Sequence, residues 1–400
     1  MDPLPRPWAF LARLRQDAKR TPGELSLDLH RAVGELRRAA RSDPSRAAEG
    51  AVLLCELLAP AIEPVEDPIA TLAAAAARTV DALAPILVGA QVAPVQRDSW
   101  LERLWVALAG DEAGHLRRLA EHWGALCVSL GCAASWADRL APCLAPGEAG
   151  VGAAGAIACL SSQIAAGRHA RALELLATRA IAVWPERQFG VYALAALGRV
   201  DEALVYAGTS NPLGHHHARD IARVCEAVLL AAGQREAAYR RFAVVARARQ
   251  NCRQTFDALR RAYPERTPSE LLDDLIAASP GHEGRWFATA ISLRFHALAA
   301  EIAGRSPCDP RTLTRHAAAQ LDGDPVLAGE LALAAIRWLC AGQGVEIDGD
   351  DVYAAHDLAR AAALRTGTQD RLRATVAALC DRPHPAAQWV HGLLARELEG

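Results

Sequence analysis

Apolar residues recur at every third or fourth position along most of the 400-residue chain, the spacing that places them on one face of a helix. Leu173, Leu176 and Ala180 follow this period, and Ala203 and Ala207 repeat it further along the chain. No stretch alternates apolar and polar residues in the way that a half-buried strand does. The pattern therefore predicts an all-α fold.

Several helices are expected to begin where a capping side chain precedes a proline. Thr21 stands before a proline and Glu24 follows at the third helical position, a combination that is typical of a capping box. Asp43, Asp309 and Asp324 each precede a proline in the same way. We expect a helix to start after each of these four residues.

The chain is long for one hydrophobic core, because single cores stop growing near about 250–300 residues. A stretch rich in proline and glycine, residues 142–152, is the best candidate for a boundary. We predict an N-terminal helical region over residues 1–97 and a tryptophan-rich helical segment over 98–146 that packs onto helical repeats over 147–400.

The most informative feature is an internal repeat, in which a glycine stands five residues before an alanine. The three pairs are Gly167 and Ala172, Gly198 and Ala203, and Gly233 and Ala238. Such a glycine ends one helix in a left-handed conformation, and the small alanine lets the next helix pack closely. One helical hairpin cannot bury its apolar face alone, so the repeat predicts stacked hairpins.

The segment Gly198–Leu204, with its Gly-Arg-Val-Asp-Glu-Ala-Leu sequence, resembles the turn and second helix of a tetratricopeptide repeat. The steps of 31 and 35 residues between the three glycines are also similar to that family. The resemblance implies a right-handed αα-hairpin solenoid that follows an N-terminal helical region. It further implies a concave surface that holds a protein or peptide.

A second resemblance covers residues 100 to 365, which are similar to an uncharacterised bacterial family of helical-repeat proteins, a domain of unknown function. It is carried by the Gly-Arg turns and four further segments, Trp100–Trp105, His122–Gly124, Gly284–Ala288 and Ser306–Arg315. This resemblance implies a fold and supplies no activity. We also expect a fourth hairpin near Trp286–Ala303, with Ser292 in the place of the glycine and Ala297 as the small residue.

The amino-acid composition agrees with a globular helical protein and argues against a disordered chain, a β-sandwich or a β-barrel. Hydrophobic residues make up 52% of the chain, charged residues 22% and aromatic residues only 5%, a balance that disfavours disorder, sandwiches and barrels. Ten cysteines without a C-x-x-C pair indicate reduced thiols rather than a disulfide framework. We find no signal peptide and no membrane-spanning segment in the sequence pattern, so we expect a cytoplasmic protein.

Two residue patterns in the sequence resemble a metal site, but neither meets all the requirements of such a site. Adjacent helix positions point about 100° apart, so His215–His217 converge poorly on one ion, although His216 could pair with Asp220 four residues later. Glu112 and His115 have the Glu-x-x-His spacing of di-metal bundles, but no second copy exists. We interpret the histidine run as a solvated helix start, and His115 with His122 as one packing surface. No metal or cofactor is predicted.

Candidate catalytic motifs are also weak, and we predict no catalytic residue. The glycines of residues 150–155 match the dinucleotide pattern, but no strand precedes them, so we interpret them as a linker into a helix. The acidic cluster at 346–351 is explained if Asp348 or Asp350 caps a helix. Cys308, with His316 nearby, is more simply a structural turn than a nucleophilic pair.

Residues 235–266 carry nine arginines against three acids, whereas residues 320–357 carry eight acids and one arginine. Four aromatic residues are interleaved with the arginines, and such a mixture can bind phosphates and stacked bases. A charged protein partner is the other interpretation, and solvated outer faces with inward aromatics are a third. The candidate partner-binding residues are Arg240, Arg241, Arg247 and Arg253.

The sequence therefore predicts a non-catalytic helical-repeat scaffold that binds a protein or peptide partner. A nucleic-acid-binding solenoid that uses the basic 235–266 segment is the first alternative. An enzyme whose site is assembled from residues distant in sequence is the second.

Overall fold

The computed structural model describes residues 7–15, 20–67, 70–144, 151–179, 182–210 and 217–399. Every regular element within these ranges is a helix, and no strand is present in them. The predicted all-α fold is confirmed. By its internal contacts the chain divides into two compact units, Met1–Ala238 and Tyr239–Gly400. The three regions predicted from the sequence stay a prediction, since most of the candidate boundary at 142–152 lies outside the described residues.

The described residues of the first unit form thirteen α-helices and a 3-10 turn at Ala141–Leu144. The helices are α1 Ala9–Leu14, α2 Pro22–Ala39, α3 Pro44–Ile62, α4 Thr71–Gly89, α5 Pro94–Ala109, α6 Arg117–Cys127, α7 Leu130–Leu140, α8 Val151–Ala165, α9 His169–Ala177, α10 Trp184–Ala196, α11 Val200–Gly208, α12 Ala218–Ala231 and α13 Arg235–Ala238. The apolar faces of α1 to α10 form one core. Trp123 and Trp136 belong to it and Trp105 packs against it, and the centroids of these three rings lie 5.0 to 6.0 Å apart.

The second unit begins with a π-helix at Tyr239–Ala243 and includes a 3-10 turn at Glu283–Trp286. Its α-helices are α14 Val244–Arg247, α15 Cys252–Ala262, α16 Pro268–Ala277, α17 Phe287–Ser292, α18 His296–Arg305, α19 Pro310–Gln320, α20 Pro325–Cys340, α21 Gly349–Thr366, α22 Gln369–Cys380 and α23 Pro385–Glu399. Among them, α20 packs against α19, α21, α22 and α23, so it lies at the centre of this unit.

The four predicted helix starts are confirmed by their capping hydrogen bonds. The Thr21 hydroxyl accepts from the Glu24 amide at 3.3 Å, and the Glu24 carboxylate accepts from the Thr21 amide at 2.9 Å. The carboxylates of Asp43, Asp309 and Asp324 each accept an amide hydrogen of the first turn at 2.9 to 3.0 Å. Local chemistry was sufficient to predict these starts because each cap satisfies backbone donors that the helix leaves unpaired.

The three repeated turns form the predicted helical hairpins. Their glycines, Gly167, Gly198 and Gly233, have φ of +74° to +77°. In each turn the next amide bonds the carbonyl five residues earlier at 2.8 to 2.9 Å, the bond of a Schellman motif. The alanines that follow, Ala172, Ala203 and Ala238, are completely buried.

Consecutive hairpins pack in a regular order. The first helices α8, α10 and α12 contact one another in sequence, and each second helix contacts the first helix of the next hairpin. Thus α9 packs against α10, and α11 packs against α12. This order places the first helices α8, α10 and α12 next to one another.

A fourth hairpin is present, but its predicted register is wrong. Arg294 takes the left-handed conformation, with φ of +63°, and the Phe295 amide bonds the Ala290 carbonyl at 3.0 Å. The buried small residue is therefore Ala299, whereas Ala297 is exposed. The sequence concealed this register because no glycine marks the turn, and arginine occupies a conformation that usually favours glycine.

Within the described part of the chain, α4 is the one helix whose length and composition would allow it to cross a membrane. Half of its apolar stretch is buried inside the protein, where it packs against α2, α3 and α6. This burial is what a core helix requires. The expectation of a cytoplasmic location stays a prediction.

Candidate functional site

A cavity of about 490 Å³ lies in the first unit between α4, α6, α10 and α12. We call it the charged cavity. Three aromatic rings line it, from Trp184, Phe189 and Tyr192. Its charged lining consists of Asp81, Arg117, Arg118, Glu121, Asp220 and Arg223, with His122 and His217 beside them. Because α10 and α12 are the first helices of two consecutive hairpins, these two packed hairpins form one wall of the cavity.

The opposite wall is an ion-pair network between α4 and α6. Arg118 contacts both Asp81, at 2.9 Å, and Glu121. His122 Nε2 lies 2.8 Å from Asp81 Oδ1. The positions of Arg118, Glu121 and His122, three and four residues apart, place them on one face of α6. The buried Trp123 lies beyond that face and anchors the helix in the core.

The pKa values of the two carboxylates in this network, Asp81 and Glu121, are shifted in opposite directions. Burial alone would raise the pKa of Asp81, but the hydrogen bond from His122 and the charge of Arg118 outweigh it, so the pKa lies below its usual value. Burial raises the pKa of Glu121 above its usual value in spite of Arg118. Asp81 therefore stays ionised more readily and holds the side chains of Arg118 and His122 in place, whereas Glu121 takes up a proton more readily.

The wall formed by α10 and α12 is more open. The Phe189 and Tyr192 rings meet edge to face with centroids 6.3 Å apart, and burial raises the pKa of Tyr192. Arg223 lies 3.6 Å from Asp220, and each side chain is 51% exposed. This weak surface pair leaves the Arg223 guanidinium able to engage a ligand.

Sequence reasoning missed this site, and one interpretation of its residues was wrong. His115 and His122 do not share a packing surface, since His122 faces the charged cavity and His115 lies in the turn before α6. Gly114, with φ of +77°, delays the helix until Arg117. The Glu-x-x-His segment at 112–115 therefore has no helical face on which to assemble a metal centre.

The weak motifs have structural explanations where the structure describes them. Gly155 lies inside α8, where an added Cβ would stand 2.6 Å from Cys143 Sγ, so it permits close packing. Asp348 caps α21 by accepting the amides of Asp350 and Asp351 at 3.1 and 3.2 Å. Burial raises the pKa of Cys308 to about 12, which removes it as a nucleophile at neutral pH.

The remaining motif residues are partly outside the described ranges. Gly150, His215 and His216 fall there, while His217 immediately precedes α12 and lines the charged cavity. Among the described residues, no three histidine, cysteine or acidic side chains are grouped as metal ligands.

The four arginines predicted to bind a partner lie in the second unit, and we call them the arginine patch. Arg240 and Arg241 are exposed on the π-helix, where Arg241 lies over the Phe242 ring at 5.1 Å. Arg247 is half-buried at the end of α14. Arg253 is exposed but bonds Asp257 at 3.1 Å and Ser292 at 2.8 Å.

The aromatic residues among these arginines belong mainly to the core. Tyr239, Phe256 and Tyr263 are buried, and only Phe242 is partly exposed. The Tyr239 hydroxyl donates to Asp274 at 2.5 Å, and its ring meets that of Tyr263 at 5.0 Å. These three rings are therefore unavailable for stacking on nucleic-acid bases, which leaves the arginines as the basis of that alternative.

Comparison with known proteins adds no relative: no family model, no curated protein and no solved structure matches this chain. The resemblance to tetratricopeptide repeats and that to the uncharacterised bacterial family therefore stay predictions. What the structure itself shows is an all-helical protein with many packed helices.

Proposed function

We propose that this protein is a non-catalytic helical-repeat scaffold that binds a peptide segment of a partner protein in the charged cavity. The observation that carries the proposal is the place of this cavity, between α6 and the first helices of two consecutive hairpins, α10 and α12. Stacked hairpins provide binding surfaces of this kind. The order of helix contacts and the three Schellman turns support a tetratricopeptide-like stack of hairpins, and its right-handed sense is part of the proposal.

The chemistry of the cavity suits a peptide. Arginines of the cavity match carboxylate groups, because a guanidinium donates two parallel hydrogen bonds to them. The rings of Phe189 and Tyr192 offer apolar contact. Charges of both signs, with Asp220 beside Arg223, favour a segment of mixed charge over a simple polyanion.

One observation favours the enzyme alternative, namely that Glu121 lies in a cavity with a raised pKa. Perturbed carboxylates of this kind are common among catalytic acids. However, Glu121 is ion-paired to Arg118, a contact that structural networks also use. Binding therefore remains the function that the geometry supports best.

A charge reversal at the cavity tests the proposal. A random peptide library is selected on the wild type, and the affinities of the enriched peptides are measured by titration calorimetry. We expect Arg223→Glu to weaken binding by about tenfold or more, which corresponds to about 1.4 kcal/mol. The reason is that the substitution replaces a carboxylate-binding group with a carboxylate.

A matched control exists on α11. Arg199 is 49% exposed and pairs with an acid three residues away, as Arg223 does, but it lies outside the charged cavity. Arg199→Glu should leave peptide affinity within about twofold. Equal losses in the two variants, or no enrichment of peptides by the wild type, would contradict the proposal.

We propose the arginine patch as a second contact, for an acidic surface of the partner in the cytoplasm. The double substitution Arg240→Glu with Arg241→Glu should leave stability within about 0.5 kcal/mol, because both side chains are exposed. It should reduce partner recovery from a lysate of the native host several-fold. Recovery is compared by quantitative mass spectrometry, with and without nuclease.

The nuclease arm separates the two kinds of partner. A defined protein that survives nuclease and is lost in the double variant supports the protein-binding role. Recovery that vanishes with nuclease and falls steeply with added salt would instead assign the patch to nucleic acid.

A further inference from the structure

A second cavity, of about 460 Å³, lies between α2 and α4 in the first unit. It is separate from the charged cavity, and we call it the basic groove. Three of its lining side chains carry nitrogen donors, namely His30 and Arg37 on α2 and Arg78 on α4. The Ser26 hydroxyl adds a fourth donor. The ionisable side chains among the described residues that line this groove are therefore all basic.

The donors of the basic groove have no partner among the described residues. In the ranges that the structure describes, His30, Arg37 and Arg78 form no ion pair or side-chain hydrogen bond. The nearby acids have other partners: Asp28 and Glu35 lie 3.8 and 3.7 Å from Arg13. Two guanidinium groups without a carboxylate partner create a positive potential that a bound anion would neutralise.

The groove also has an apolar part. Leu27 stands on its edge with 48% of its surface exposed, and Val33 is buried at its base. Ligand sites of about 300–1,000 Å³ usually combine such apolar walls with a few polar groups that fix orientation. The basic groove has this composition at the scale of a small molecule.

We propose that the basic groove binds a small phosphate monoester with a compact apolar body. A phosphate ester carries about −1.5 to −2 charges near neutral pH, which two arginines can match with bidentate hydrogen bonds. The hydroxyl of Ser26 and the ring of His30 supply further donors, and Leu27 with Val33 contacts the apolar body. A monocarboxylate would use only one of the two guanidinium groups and binds more weakly.

Fluorine NMR on the full chain tests this, with para-fluorophenyl phosphate as the probe. Para-fluorobenzoate is the carboxylate arm, and para-fluorophenol tests the apolar body without charge. We expect saturable binding of the phosphate ester, weaker binding of the benzoate and none of the phenol. The double substitution Arg37→Gln with Arg78→Gln should weaken binding of the phosphate ester by about tenfold or more.

The matched control is the neighbouring arginine on α2. Arg38 is exposed like Arg37, but successive helix positions point in different directions, and Arg38 does not line the groove. Arg38→Gln should leave the affinity within about twofold. All three arginines are exposed, so the variants should fold as the wild type does.

Three outcomes would overturn the proposal. The first is that the wild type shows no saturable binding of the phosphate ester at millimolar concentration. The second is that the double variant and Arg38→Gln lose affinity for the ester equally. The third is that the uncharged phenol binds more tightly than the ester. The test is independent of the peptide-binding proposal, because the basic groove and the charged cavity share no lining residue.

Discussion

The substitution Gly124→Ala is expected to destabilise the protein by about 3 kcal/mol or more, although it adds a single methyl group. Gly124 lies where α6 meets α8, and its amide donates to the Ser161 hydroxyl at 3.0 Å. An added Cβ would stand 2.7 Å from the Ser161 carbonyl carbon and 2.8 Å from Ala165 Cβ. Since the obstacle is mainly backbone, the two helices must move apart to accept it.

Urea unfolding followed by circular dichroism measures this loss. Gly131→Ala, in the first turn of α7, is the matched control, because nothing lies within 4 Å of the Cβ that it would add. That variant should be neutral or up to about 1 kcal/mol more stable, as alanine is the better helix former. Similar stabilities for Gly124→Ala and the wild type would show that α6 and α8 do not approach as closely as described.

The second large effect is expected at Ala203, where Ala203→Phe should cost about 3 kcal/mol or more. Ala203 is completely buried, on a helix that packs against both α10 and α12. A phenyl ring has no space there, so the hairpin must open or its neighbours must separate. Thermal unfolding should show a clear fall in the midpoint, together with a loss of helicity at temperatures where the wild type is folded.

Val205→Phe is the control for this second prediction. Val205 lies on the same helix with 68% of its surface exposed, so the same ring should change stability by less than about 0.5 kcal/mol. If the two variants unfold at the same temperature, the role of the small residue in the repeat is contradicted.

Features of this structure that are decided by residues close together in the sequence could be predicted, whereas features that depend on distant residues could not. The caps at Thr21 and Asp309 and the turn at Gly198 were predictable, because each is decided by residues within one or two helical turns. The fourth hairpin shows the limit of this approach. There, Arg294 adopts the left-handed conformation without a glycine, so the small residue was assigned to Ala297 instead of Ala299.

The charged cavity could not be predicted in the same way. The spacing of Arg118, Glu121 and His122 could have indicated a polar face on α6. The contact of Arg118 and His122 with Asp81 depends instead on the packing of α4 against α6, which brings together residues 37 and 41 positions apart. The three buried aromatic rings of the basic segment were likewise ambiguous, since their sequence spacing fits a core as well as a base-binding surface.

Ser161 links α6, which lines the charged cavity, to α8, the first helix of the first hairpin. Its hydroxyl accepts from the Gly124 amide and donates to the Glu121 carbonyl at 2.9 Å, so one side chain of α8 binds two backbone groups of α6. Any ligand that binds only the assembled cavity therefore also favours the assembled hairpins, by RT ln(1 + [L]/Kd). By reciprocity, a change that weakens the packing of these hairpins would also weaken ligand binding. A bound ligand would therefore indicate that the hairpins are packed together.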